Sequence, residues 1–329
     1  MTPRQFFIVD VFAEAKYAGN QLAVFTDAGD LTTEQMQQIA REMNFSETTF
    51  ILSPEVQDGG YPVRIFTPGQ ELPFAGHPTL GTAFIVQQEL IRQPVETVTL
   101  NLKVGPIPVN ILYDDQQPVV LWMRQNPPGF GAILPTEAIA PVLNLEIDDF
   151  DIRFPIQEVS TGVPFIITPL KSLAALQRIK VNVDLLFDLV EPLQAKMIFA
   201  FCPEARNPAN QFSARMFAHA VGIPEDPATG SANGCLAGYL AHYDYWNRIE
   251  GKGNGVPGTA GSGQKISSLL PDRPLPYPLS SPHLIEANVE QGYEIGRPSL
   301  LLLRARKTEA TIEIFVGGSV ILVARGEFV

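Results

Sequence analysis

An α+β fold made of two similar halves, each wrapping strands around a central helix, is predicted by three features of the sequence. Short runs of β-branched and aromatic residues alternate with turn signals along much of the chain. One segment has an internal echo: Glu71 to Ala83 reads ELPFAGHPTLGTA, and Glu225 to Ala237 reads EDPATGSANGCLA. Each copy follows an Arg-x-Phe strand signature, Arg64-Ile65-Phe66 and Arg215-Met216-Phe217. Each then leads into an apolar run long enough for a buried helix, TLGTAFIVQQEL and NGCLAGYLAHY.

In chain order, FFIVDVF and QLAVF read as strands flanking a turn around Gly19 and Asn20. Thr32 is a helix cap with Gln35 at the third helical position, and Met36, Ile39, Ala40 and Met43 form the apolar stripe behind it. TTFILS and YPVRIFTP follow as strands. The first half closes near LYDDQQPVVLWMRQNPPGF, where Pro127 to Gly129 mark a change of direction, so the chain divides into residues 1–125 and 126–329. The second half resumes before Thr161-Gly162-Val163-Pro164 and the strand FIIT. SLLLLRARK, ATIEIFVGG and SVILVARGEF are successive strands near the end, and whether one returns to the first half is left open by the sequence.

With 45% hydrophobic and 18% charged residues, the 329-residue chain has the composition of a packed protein. Its formal net charge of −12 repels a phosphate backbone, and no basic stripe with interleaved aromatics offsets it, which argues against nucleic-acid binding. No uninterrupted apolar stretch reaches the roughly 20 residues of a membrane span. The start, MTPRQFFIVDVF, reads as a first strand rather than a signal peptide. Two cysteines, Cys202 and Cys235, offer no zinc motif, and a reducing, cytoplasmic setting fits them best.

The echo places a Gly-containing turn before each helix start, at Gly76 and at Gly230. The first amides of a helix lack internal partners, so two such turns facing one cleft would grip a small carboxylate from both sides. Around them lie three candidates for chemistry. Glu47, in MNFSETTFI, is either an ordinary loop or strand-end carboxylate or a base whose pKa is raised in a dry cleft. His77 is a helix-start contact or a neutral imidazole donating to a developing oxyanion, with Pro78 starting the helix. Asp226 and Ser231 either cap their helix or hold a substrate hydroxyl, amine or carboxylate. Gly251, Gly253 and Gly255 lack the strand–helix context of a dinucleotide loop and read as loop. His219, His242 and His283 show no metal-ligand spacing, and Ser231 is not in a nucleophile elbow.

Over nearly its whole length the sequence resembles the phenazine-biosynthesis isomerase-like family. The blocks that carry this are DVFAEAKYAGNQLAVF, MNFSETTF, RIFTPGQELPFAGHPTLGTA, GIPEDPATGSANG and EQGYEIGRPSLLLLRA. Gln21 departs from a common proline. The resemblance implies a diaminopimelate-epimerase-like fold of two pseudo-symmetric domains and a homodimer. It implies an enzyme without metal or organic cofactor that moves a proton between ring carbons of a small cyclic carboxylate. Glu47 would be the carbon acid and base, His77 and Asp226 positioning or proton-network residues, and Gly76, Gly230 and Ser231 the carboxylate holders. Related epimerases use one cysteine from each half, but here the first half has none. A non-thiol amino- or hydroxy-acid racemase, or a metabolite-binding protein without turnover, are the competing readings.

Overall fold

The computed structural model describes residues 3–249 and 284–329, so the Gly251–Gly255 stretch and His283 lie outside the described residues. The first lobe begins with β1 (Arg4–Val11), β2 (Asn20–Phe25), α1 (Thr33–Met43), β3 (Glu47–Ile51) and β4 (Tyr61–Phe66). It continues with β5 (Glu71–Leu72), α2 (Gly76–Ile85), β6 (Thr97–Leu102), β7 (Gly105–Asp114) and β8 (Gln117–Gln125). The second lobe opens with β9 (Gly129–Leu134), α3 (Thr136–Leu143), β10 (Ile156–Ser160), β11 (Pro164–Pro169), α4 (Leu173–Arg178), α5 (Val183–Val190) and β12 (Ile198–Cys202). Then come β13 (Phe212–Ala218), β14 (Ile223–Asp226), α6 (Gly230–His242), α7 (Tyr245–Ile249), β15 (Leu284–Gln291), β16 (Ser299–Lys307), β17 (Ile312–Gly318) and β18 (Val320–Phe328).

Strand pairing forms one continuous path through both lobes. It starts at the chain's last strand and runs β18, β1, β2, β3, β4, β6, β7, β8. From β8 it crosses to β17 and proceeds through β16, β15, β13, β12, β11, β10 and β9. The last strand, β18, thus lies antiparallel to β1, although its sequence follows the whole second lobe. The architecture is the mixed-sheet α+β fold of the diaminopimelate-epimerase type, with a helix at the centre of each lobe.

The central helices explain why the strands curl. All ten residues of α2 are buried, and in α6 only Ser231 and His242 are not. Helices without a polar face are stable only when enclosed on every side. Gly81 lets α2 sit on the sheet, since a Cβ there would meet Leu22 at 2.6 Å and Val11 at 2.9 Å. Leu236, Leu240, Leu301, Leu303, Ile314 and Val316 join the same core from α6, β16 and β17, and each such buried side chain contributes on the order of 2 kcal/mol. The helix opens at Gly76, so Pro78 sits within its first turn instead of starting it; a missing N–H costs little there because first-turn amides have no intrahelical partner.

Outside this core, α1 has the capping box expected from its sequence: Thr32 Oγ1 accepts from the Gln35 amide at 3.3 Å, and Gln35 Oε1 accepts from the Thr32 amide at 2.9 Å. Met36, Ile39 and Ala40 are buried against Phe50 and Phe66, with Met43 packed at the margin. The internal echo also survives in detail. Arg64 grips Glu71 through two 2.8 Å bonds, and Arg215 grips Glu225 through bonds of 2.9 and 2.8 Å. Each guanidinium also stacks over the phenylalanine two residues on, Phe66 at 5.0 Å and Phe217 at 4.8 Å. These matched pairs hold the two short strands, β5 and β14, that deliver the chain to the helix starts. Among the described residues, no helix is long and apolar enough to cross a membrane.

Candidate active site

The two central helices meet end to end. A Cβ built on Gly76 would lie 3.4 Å from Gly230 Cα and 3.4 Å from the Ser231 amide nitrogen. One built on Gly230 would lie 3.6 Å from Gly76 Cα and 3.3 Å from the Phe12 ring. Backbone thus faces backbone across the junction, and only the Phe12 ring lies closer than ordinary contact to a Cβ on Gly230. Ala75 and Thr229 occupy the cap positions, and neither gives its helix a side-chain cap. The amides of Gly76, His77, Gly230 and Ser231 therefore gather, without intrahelical acceptors, around one junction with two positive helix ends. Behind it, Gln125 Nε2 donates to the Gly230 carbonyl at 3.0 Å, and Thr161 Oγ1 donates to Gln125 Oε1 at 2.7 Å.

Glu47 is the first residue of β3 and reaches this junction from the first lobe. Its Oε2 lies 3.4 Å from His77 Nε2; both atoms are buried and neither has a hydrogen-bond partner. Burial, reinforced by the negative charge of Asp226, pushes the Glu47 carboxyl up to about 8. Burial also pushes His77 down to about 3, opposed by a hydrogen bond to the Gln21 backbone. The ring turns Nε2 toward the Glu47 carboxyl. The main cause of its neutrality is burial rather than the helix end.

Asp226 ends β14 and enters from the second lobe. Asn20 Nδ2, from β2 of the first lobe, donates to its Oδ1 at 3.0 Å and to the Ala228 carbonyl at 3.0 Å. Ser46 Oγ reaches the same Oδ1 at 3.5 Å, and Thr229 Oγ1 donates to Oδ2. Burial pushes Asp226 up to about 6, held back by the bonds from Thr229, Asn20, Ser46 and the Ala228 backbone. Neither Asp226 nor Ser231 supplies a side-chain cap to α6.

Glu47, His77, Asp226, Gly76, Gly230 and Ser231 are thus brought to one place. Asn20, Ser46, Thr229 and Gln291 also frame it, and the sequence alone assigns none of them a role. Ser46 was signalled by its place before Glu47 and Gln291 by its EQG block, whereas Asn20 reads as an ordinary turn residue. His219 and His242 lie elsewhere, in a short 3₁₀ turn and at the end of α6. The described residues contain no cluster of three or more His, Cys, Asp or Glu able to hold a metal. Cys202 and Cys235, both buried and free, belong to the second lobe.

The chain is similar to known proteins over most of its length. A family model described as phenazine biosynthesis-like protein matches residues 9–259. The trans-2,3-dihydro-3-hydroxyanthranilate isomerase of Pseudomonas aeruginosa is 34% identical over 301 residues, covering 92% of this chain and 90% of the relative. An uncharacterized isomerase of Clostridium acetobutylicum is 30% identical over 330 residues, covering 98% and 96%. The crystal structure of a Bacillus anthracis phenazine biosynthesis protein of the PhzF family superposes with a TM-score of 0.81 at 28% identity, covering 100% of both chains.

Proposed function

Since the chain belongs to the phenazine biosynthesis-like family, we propose that it is a cofactor-independent isomerase moving a proton and a double bond within a small cyclic carboxylate. The observation that carries this reading is a Glu47 carboxyl whose buried Oε2 has no hydrogen-bond partner, beside two uncapped helix starts in contact. The substrate carboxylate accepts from the amides of His77 and Ser231 at the Gly76–Gly230 junction. Glu47, as carboxylate, removes a proton from a ring carbon, and the electron pair left behind delocalises through the adjacent double bond. The protonated Glu47 then returns that proton to a second ring carbon, so atoms and charge balance without an external oxidant or metal. His77 Nε2 receives the Glu47 proton in hydrogen bonding and keeps the acid oriented, while Asp226 holds a polar substituent of the ring. A cyclic carboxylate of the kind named for the Pseudomonas aeruginosa relative fits this scheme. A homodimer belongs to the same proposal and is tested by light scattering on the purified protein.

A second reading is favoured by one observation. Glu47 and Asp226 are carboxyls from opposite lobes, both pushed up in pKa. Two such groups facing one carbon from either side would racemise an amino or hydroxy acid. Incubation in deuterium oxide with a panel of cyclic and amino carboxylates, followed by NMR, separates the two. Movement of the double bond supports isomerisation, exchange at one carbon with unchanged connectivity supports racemisation, and neither across the panel counts against both.

A further inference from the structure

Gln291, at the end of β15, is buried and makes four hydrogen bonds around the start of α6. Its Oε1 accepts from the Thr229 backbone amide at 3.3 Å and from Asn233 Nδ2 at 2.9 Å. Its Nε2 donates to the Asp226 carbonyl at 2.9 Å and to Thr229 Oγ1 at 3.2 Å. Two of these partners are backbone groups of fixed polarity: an N–H only donates and a C=O only accepts. They settle which end of the Gln291 amide is oxygen. With nitrogen facing it, the Thr229 hydroxyl receives one proton and turns its own toward Asp226 Oδ2. The Asp226 Oδ1 side is fixed in the same sense, because Asn20 Nδ2 is also anchored on the Ala228 carbonyl.

We infer that Gln291 is a positioning residue: by fixing the direction of the Thr229 hydroxyl, it keeps Asp226 a hydrogen-bond acceptor rather than a donor. The inference rests on the proposed role of Asp226 in the reaction. Without the Gln291 N–H, the Thr229 oxygen is free to accept from a protonated Asp226, the form that burial already favours. The titratable groups around Asp226 are Glu47 on β3 and, beyond it, His77 on α2. The residues bonded to it or opposite it are neutral: Asn20 on β2, Ser46 before β3, Thr229 before α6, Gln291 on β15 and Met216 on β13, while the adjacent Glu225 is paired with Arg215.

The test is a carbon-13 NMR titration of the Asp226 carboxyl in the whole protein labelled at aspartate, with Asp226→Asn to assign the signal. In Gln291→Met the Asp226 midpoint is expected to move up by about one pH unit or more, the scale of a lost hydrogen bond to a charged group. Thr229→Val is expected to move it in the same direction, and Thr229→Ser, which keeps the hydroxyl, to leave it near that of the parent. An unmoved midpoint in folded Gln291→Met overturns the inference. If that variant does not fold, an unmoved midpoint in Thr229→Val overturns it, and a rise that Thr229→Ser reverses supports it. A merely structural role for Gln291 lowers the melting temperature without moving the titration. If the midpoint rises while turnover stays at the parent rate, the hydroxyl direction stands and the assignment of Asp226 to the reaction falls. If the midpoint stays and Asp226→Asn is inactive, that assignment stands and the inference about Gln291 falls.

Discussion

Glu47 Oε2 and His77 Nε2 face each other at 3.4 Å, and neither has another hydrogen-bond partner. With His77 pushed down to about 3 and Glu47 up to about 8, the neutral pair at pH 7 is a carboxylic acid beside an uncharged imidazole. A proton therefore rests on Glu47 at pH 7, and the group must release it before it acts as the proposed base.

Glu47→Gln removes this proton release while nearly preserving size. The variant is expected to fold and to bind substrate, with kcat lower by roughly 100-fold or more. Steady-state kinetics and substrate affinity, with circular dichroism and a melting curve as the folding check, decide it. Near-normal kcat would remove Glu47 from the mechanism even though the family stands. In the parent protein kcat/KM should rise with pH toward about 8 as Glu47 ionises; a fall over that range means the protonated acid acts first.

Gly76→Ala tests the junction of the helix starts. Its methyl would lie 3.4 Å from the Ser231 amide nitrogen, where a carboxylate oxygen is proposed to sit, and at ordinary contact distance from Gly230. The fold should tolerate it, so the melting temperature should change little. Affinity for the substrate carboxylate should fall by about tenfold or more, equivalent to about 1.4 kcal/mol of binding. Calorimetric titration reads both parts, and unaltered affinity would place the carboxylate elsewhere.

How far the sequence reveals this site depends on the range of the contacts involved. The Thr32–Gln35 capping box and the Arg64 and Arg215 strand signatures were legible because their partners are near neighbours along the chain. Asn20 was not: its role is set by Asp226, 206 residues away, and nothing local distinguishes it from a turn asparagine. The same holds for β18, whose pairing with β1 needs the whole intervening lobe to be in place. For His77 the neutral state was legible. Its principal cause, enclosure of α2, was not.

Gly19→Ala tests whether the β1–β2 turn positions Asn20. Gly19 has φ of +67°, and a Cβ there would lie 2.4 Å from the Val11 carbonyl oxygen and 2.8 Å from Ala13 Cβ. Both the left-handed backbone and the clash penalise a side chain, by about 2 kcal/mol or more together. The melting temperature should fall by several degrees, and displaced Asn20 should weaken substrate binding through Asp226. Asn20→Ala serves as the comparison: it should weaken binding with a smaller loss of stability. A Gly19→Ala protein as stable as the parent would mean that the turn readily relaxes.

The raised pKa of Glu47 also makes a prediction about folding that needs no substrate. The carboxyl titrates near 4.5 when unfolded and at about 8 when folded. Between those values the folded state holds a proton that the unfolded chain has released, so stability falls as pH rises through the window. Asp226 acts in the same sense between 3.8 and about 6. His77 acts oppositely: its folded value of about 3 lies below 6.5, so its neutral burial weakens the fold as pH falls through that interval. Glu47→Gln cancels only the first of these. Relative to the parent, the variant should therefore gain stability between pH 5 and pH 9, by on the order of 2–4 kcal/mol. Paired melting curves across that range measure the difference directly, with a relative rise of roughly 3 °C or more expected. His77→Gln adds the opposite control, gaining on the parent as pH is lowered from 6.5. A Glu47→Gln difference that stays constant from pH 5 to pH 9 would mean that Glu47 titrates as an ordinary carboxylate and is already ionised at neutral pH.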